Sequence, residues 1–381
     1  MSVTTSQVAI TSKREERSAT LDERVRHISR WRGLFNRPEF GAIAGTALVF
    51  VLFGIFAGDS GMFNLDGVMS WAQVAAYLGI IAVGACMLMI AGEFDLSIGS
   101  MIGFAGMMMA VPAMFLGWPV WASVLFAFAG CMALGWLNGY LVVRTRLPSF
   151  IVTLAFMFIL RGLTLVLSTH FSNSTIVSGV GDKLGADPVV RTLFQGSTFH
   201  QLFAWLAHAG LIGTLPNGEP VVNGMPKVLL WWLAMACGAG FMLSRTRFGN
   251  WVFIVGGDNN TAKNAGIPVN RVKISLFVFT AFCACLFGVL QVADVGSAAA
   301  DRGLQKEFEA IIAAVIGGTL LTGGYGSVLG ACFGALIFGV VQVGISFTSI
   351  DSDWYRVFLG TMLLLAVLFN HYIRSRAGTG K

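Results

Sequence analysis

Long apolar runs with brief polar interruptions dominate the chain. Residues Gly67 to Gly92 hold no Asp, Glu, Lys or Arg, and neither do Leu96 to Val143; between the two runs stand Glu93 and Asp95. A helix that crosses a bilayer needs about 20 mostly apolar residues at about 1.5 Å of rise each. Runs of this kind fall at 41–57, 70–91, 97–116, 119–143, 150–168, 227–244, 273–293, 308–322, 326–346 and 355–373. The eighth is short, and Thr322-Gly323-Gly324-Tyr325 leaves only a tight turn before the ninth, so that pair reads as partly re-entrant. The pattern predicts an all-α polytopic membrane protein of about ten transmembrane helices, some short or broken. Small residues recur at helical spacing in Gly99/Gly103, Gly135/Gly139 and Gly326/Gly330/Gly334, which suits close approach of helix backbones in lipid.

Composition supports the membrane reading. Over 381 residues the chain is 56% hydrophobic and 12% charged, with 47 Gly and a mean hydropathy of +0.75, too apolar for a soluble fold of this length. The formal charge of +6 raises nucleic acid as a partner, but the basic residues flank spans instead of clustering, so lipid and topology account for them better and no nucleic-acid role is expected. Most of the 25 Lys and Arg fall in segments 1–40, 144–146, 245–273 and 374–381, which share one side of the membrane. By the positive-inside rule that side is the cytosol, with both termini there. The expected organisation is a cytosolic basic tail (1–40), one permease domain (41–373) with an outer loop at 169–226 and an inner loop at 245–272, and a cytosolic tail (374–381). The first 38 residues lack the apolar core of a secretory signal peptide. Lys13 to Arg37 reads either as a helix on anionic lipid or as an unstructured cytosolic tail. In the outer loop, His200 to Ile212 reads as an amphipathic helix resting on the membrane or on other spans.

Motifs for chemistry are few. No phosphate-binding G-x-x-x-x-G-K-[ST], H-E-x-x-H or G-x-S-x-G occurs, so the chain has no visible means of hydrolysing a nucleotide or peptide. Gly179-Val180-Gly181-Asp182 echoes an intramembrane aspartyl protease signature, but it sits in a polar outer loop. The six cysteines lie in apolar runs without metal-ligand spacing and read as buried packing residues, and neither metal nor cofactor is expected. The inner loop is more informative. In Gly256-Gly257-Asp258-Asn259-Asn260-Thr261-Ala262-Lys263-Asn264-Ala265-Gly266-Ile267-Pro268, Asn259 to Asn264 fits a short helix ended by Gly266 and Pro268. It is either a handle for a motor protein or a solvated loop.

Five ordered blocks carry a family resemblance. They are Gly92-Glu93-Phe94-Asp95-Leu96-Ser97-Ile98-Gly99-Ser100; Trp136-Leu137-Asn138-Gly139; Pro148 to Ala155 with Arg161-Gly162; Gly256-Gly257 through Gly266-Ile267; and Glu309 to Thr319 with Gly323 to Ser327. With them the chain resembles the membrane permease of ribose/xylose-type ABC sugar importers over about residues 70–373. The resemblance implies an inner-membrane subunit that moves a monosaccharide or related polyol by alternating access. It implies as partners a cytosolic ABC ATPase, a periplasmic sugar-binding protein and a second permease copy. Asp258 to Ile267 would be the ATPase-coupling segment, with Gly256, Gly257, Asp258, Ala262, Lys263 and Gly266 as its marked residues. Departures occur at Val343-Gly344, where Asn-Gly is usual, at Asp258 in place of Asn, and at Leu320 in place of Ser.

Within the spans, Arg161 reads either as a packing or snorkelling residue or as part of the translocation path. Asn138, Gln291 and Gln342 either bond between helices or offer transient bonds to sugar hydroxyls. Glu307 and Glu309 would begin the eighth span near the outer surface, where acids favour a helix N-terminus. Asp294 and Asp301 contribute to an acid-containing outer face suited to a binding protein or to solvent. Glu93, Asp95 and Ser97 fall in a turn at the cytosolic end, where Asp95 is placed to cap the third helix; the alternatives for the turn are a contribution to the inner gate or ATPase contact, and proton coupling. The alternatives are a permease for another small polar solute such as a branched-chain amino acid, and an ion-coupled secondary transporter, which would need discontinuous helices and an intramembrane acid relay.

Overall fold

A computed structural model describes residues 38–348 and 350–378, with side chains described for 40–348, 350–365 and 368. The basic stretch Lys13 to Arg37 and residues 379–381 lie outside the described residues. The helices are α1 (Pro38–Ala57), α2 (Leu65–Ile90), α3 (Ile98–Phe115), α4 (Val120–Thr145), α5 (Ser149–Ser172), α6 (Val180–Ala186), α7 (Pro188–Phe194), α8 (His200–His208), α9 (Lys227–Arg245), α10 (Arg247–Gly257), α11 (Asn259–Asn264), α12 (Val269–Val295), α13 (Lys306–Ile316), α14 (Val328–Ser346) and α15 (Trp354–Gly378). Among the described residues, eight are long and apolar enough to cross a bilayer: α1 to α5, α9, α12 and α14. Helices are the form such runs take because lipid offers no partner for backbone N–H and C=O groups. Breaks come where the sequence supplies them. Pro112 lies inside α3, and its carbonyl accepts from both Leu116 N (3.2 Å) and Trp118 N (3.1 Å), closing that helix.

Two layers follow from how apolar surface is disposed. In α2 and α3, 83% of the most apolar window is buried by protein, against 17% in α1 and 22% in α9. The outer layer therefore turns Ile55, Phe56, Phe158 and Val166 outward, the surface a bilayer requires. Small residues bring the layers together. A Cβ at Gly135 would meet Phe277 O at 2.7 Å and one at Gly139 would meet Ile274 Cα at 2.9 Å, so α4 lies backbone-close along α12. Cys86, Cys131, Cys283 and Cys285 pack in this interior, whereas Cys237 is exposed on α9, contrary to its expected burial.

The eighth span departs from expectation. α13 has 11 residues and rises about 16 Å, too little to cross. Before it, β4 (Ala298–Ala299) pairs antiparallel with β1 (Ile176–Val177), and the chain then descends along α3. A Cβ at Gly103 would meet Arg302 O at 2.8 Å, and one at Gly99 would strike Glu307 Oε2. Glu307 and Glu309 therefore do not lie near the outer surface: they open α13 within the bundle, beside the start of α3, at 2% and 5% exposure. The cause is the close backbone approach allowed at Gly99 and Gly103, which draws the chain inward before the helix starts. In the outer loop, β2 (Ser197–Thr198) pairs with β3 (Met225–Pro226), and α8 buries Phe203 and Ala207 while Leu202 and Trp205 remain exposed.

Candidate functional site

The turn between α2 and α3 is held by side-chain bonds from three spans. It leaves α2 through Gly92 in the left-handed region (φ +81°), where a side chain would be strained. Phe94 N donates to Ser149 Oγ and Leu96 N to Thr153 Oγ1, each at 3.0 Å, so α5 satisfies two backbone amides of the turn. Asp95 Oδ1 accepts from Ser97 N at 2.8 Å and Ser97 Oγ at 2.6 Å, while its Oδ2 accepts from Thr280 Oγ1 at 3.2 Å. Asn138 Nδ2 donates to Ser97 Oγ at 3.0 Å. Thr280 lies about 16 Å along α12 from its first residue, Val269. The turn therefore runs from the inner end of the bundle, where Glu93 meets Lys273, to a deeper point, where Asp95 meets Thr280. Asp95 does not cap α3 as expected. Ser97 occupies the N-cap position without a side-chain cap bond, and Asp95 binds Ser97 instead of the helix's first turn.

Glu93 faces the other way. Its Oε1 pairs with Lys273 Nζ at 2.5 Å, one turn into α12. Lys273 carries no distinguishing signal in the sequence, since Arg271 stands two residues before it at the start of the same span and Asp95 stands two residues after Glu93.

The inner loop forms a helical bracket. Thr246 Oγ1 accepts from Gly249 N at 3.2 Å and starts α10. Asp258 Oδ1 accepts from Asn260 N at 2.6 Å and Thr261 N at 2.8 Å, capping α11, the helix expected over the same residues. The amides of Thr261 and Asn260 hold the Asp258 carboxyl below the usual carboxylate range. Gly266 (φ +75°) ends α11, and Ile267 N returns to Ala262 O at 3.0 Å. Ala262 is fully buried beneath the helix, while Asn260, Thr261, Lys263 and Asn264 are exposed. Gly256 packs against the Ile90 carbonyl and Gly324, whereas Gly257 has open space where a Cβ would lie.

The four candidate path residues are separate. Asn138 is buried on α4 and engaged by Ser97; Arg161 is half-buried midway along α5, its charge acting on Glu307; Gln291 and Gln342 are half-buried on α12 and α14. No hydrogen bond or ion pair joins them to one another. At the outer end, Asp294 accepts from Gln73 Nε2 at 2.5 Å and Tyr77 Oη at 3.1 Å. Among the described residues, no group of His, Cys, Asp and Glu is disposed to hold a metal ion.

The family described as "Branched-chain amino acid transport system / permease component" matches residues 67–367. The chain belongs to this permease family. It is 30% identical over 369 residues to the xylose transport system permease protein XylH of Escherichia coli K12, covering 90% of this chain and 94% of that one. The fructose import permease protein FrcC of Rhizobium meliloti is 28% identical over 358 residues, covering 94% and 91%. The ribose import permease protein RbsC of E. coli K12 is 30% identical over 311 residues, covering 81% and 87%. No solved structure matches. The resemblance drawn from the five sequence blocks holds, and the chain is a multi-pass permease of the inner membrane, a subunit for transport.

Proposed function

We propose that the permease moves a monosaccharide or related polyol inward by alternating access, driven by a cytosolic ABC ATPase that docks on α11. The observation that carries this reading is the bracket itself. A six-residue helix is capped by Asp258, closed at Gly266, seated on buried Ala262, and turned outward through Asn260, Lys263 and Asn264 at the end richest in Arg and Lys. A solvated loop has no need of a cap at one end, a left-handed glycine at the other and an apolar anchor beneath. A periplasmic binding protein would deliver the sugar to the outer face, and a second copy of the chain would complete the path. The relatives named for xylose, fructose and ribose support a sugar over an amino acid, although the family description covers branched-chain amino acid systems. Arg161, Gln291 and Gln342 are the path candidates with exposed surface, whereas Asn138 serves the helix junction.

The mechanism follows from what this chain lacks and has. It holds no nucleotide-binding loop, so energy enters as displacement of α11. A neutral polyol needs only transient hydrogen bonds in passage, and side-chain amides supply both donors and acceptors for them. The test is uptake of labelled xylose, ribose, fructose and leucine into vesicles bearing the permease with and without its cognate ATPase and binding protein. Sugar uptake that requires both partners is expected; uptake on an ion gradient alone would overturn the reading, and uptake of leucine alone would favour the amino acid class.

A further inference from the structure

We propose that Lys273 is a positioning residue for coupled transport: it ties Asn259, the first residue of α11, to Glu93 in the turn that opens α3. The inference rests on the coupling reading of α11. Lys273 Nζ meets Glu93 Oε1 at 2.5 Å, with side-chain exposures of 12% and 11%. The Asn259 amide, oriented by its partners, donates to Val255 O and accepts from Lys273 Nζ, both at 3.2 Å. An ammonium carries three donors and no acceptor, so one group spans two elements that share no covalent neighbour.

A backbone contact runs beside this tie. A Cβ at Gly256 would strike Ile90 O and would lie 2.7 Å from Gly324 N, and Gly324 N donates to Ile90 O at 2.8 Å. The end of α10 is thus wedged against the end of α2. From there the turn has little freedom, because Ser149, Thr153, Thr280 and Asn138 hold it to three spans. Close-packed interiors transmit displacement instead of absorbing it. A pull on α11 therefore reaches α3 and α5 through Glu93, and α5 carries Arg161. The ion pair itself joins the first turn of α12 to the buried turn, and the hydrogen bond from the same ammonium to Asn259 extends it to the solvent-facing helix α11.

The test uses the permease assembled with its ATPase and binding protein in vesicles, and reads ATPase association, hydrolysis and sugar uptake separately. In K273M and E93Q, association and hydrolysis should persist while uptake per ATP falls roughly 2- to 30-fold. The exchange K273E/E93K restores the pair in reverse, and the Asn259 amide can donate to a carboxylate at position 273, so uptake per ATP should recover. Assembled single variants with unchanged uptake per ATP, or a double exchange no better than the singles, would overturn the tie. Association indifferent to K263E would instead overturn the docking of the ATPase on α11, a result read without reference to coupling.

Discussion

Asn138 donates its side-chain amide to the Ser97 hydroxyl at 3.0 Å, and both residues are fully buried. Through this bond α4 holds the turn that launches α3. Ser97 in turn donates to Asp95, so the amide, hydroxyl and carboxylate form one chain ending at Thr280 on α12. Asn138→Leu removes the donor and leaves the buried Ser97 oxygen with one partner fewer. A loss of about 1–2 kcal/mol is expected, toward the upper end of hydrogen bonds measured between membrane helices. Thermal unfolding of the purified permease in detergent checks this, with uptake per folded molecule unchanged. A selective loss of uptake at full stability would return Asn138 to the translocation path.

Ala262 and Lys263 are neighbours in α11 with opposite surroundings, one buried and the other exposed. Ala262→Leu overfills the seat beneath the helix and should cost about 1–3 kcal/mol as well as weakening ATPase association. Lys263→Glu should weaken association while leaving the melting temperature alone. Co-purification with the ATPase, set beside thermal unfolding, separates the two effects.

Most of the spans and the helix α11 are legible because each is encoded locally, by an apolar run or by a cap and a terminating glycine. The position of Asp95 is not. Its turn looks like a rim because polar residues at the end of an apolar run are what a rim contains. Only the long-range bonds to Thr280 and Asn138, which lie far along the chain, draw it inward. Glu307 and Glu309 show the same limit. A helix start with two acids reads as surface unless the preceding loop can press against α3, and that depends on Gly99 and Gly103 in another span. Lys273 is not legible in the sequence, because a cation at a span end is ordinary until its partner is known.

Asp258 accepts two amides at the start of α11, and these lower its carboxyl pKa in the folded state. A group with a depressed folded pKa adds stability above its unfolded value, about 3.9, and loses it as pH falls through the folded value. Between pH 5 and 8 this cap is therefore constant, and ATPase association should not vary with pH through Asp258. Asp258→Asn retains an acceptor oxygen and should keep association nearly intact, whereas Asp258→Ala should fray α11 and weaken it. Association measured at pH 5, 6.5 and 8 for the three proteins checks both points.

Gly256 and Gly257 stand side by side in the sequence, yet their surroundings predict opposite tolerance. A Cβ at position 256 would strike the Ile90 carbonyl and come within 2.7 Å of Gly324 N and 2.8 Å of Ile90 C. These are backbone atoms and cannot rotate away. To admit the methyl group, α10 would have to withdraw from α2, breaking the wedge beside α11 and straining the Gly324 to Ile90 bond. Gly256→Ala should therefore destabilise the permease by about 3 kcal/mol or more, at the severe end for overpacking. Gly257→Ala adds its methyl group where no heavy atom lies within 4 Å, so stability and uptake should match the unsubstituted protein. Melting temperature and sugar uptake of the two variants decide the matter. Equal tolerance at both positions would mean that α10 does not bear on α2 as described, and the backbone route from α11 into the core would have no basis.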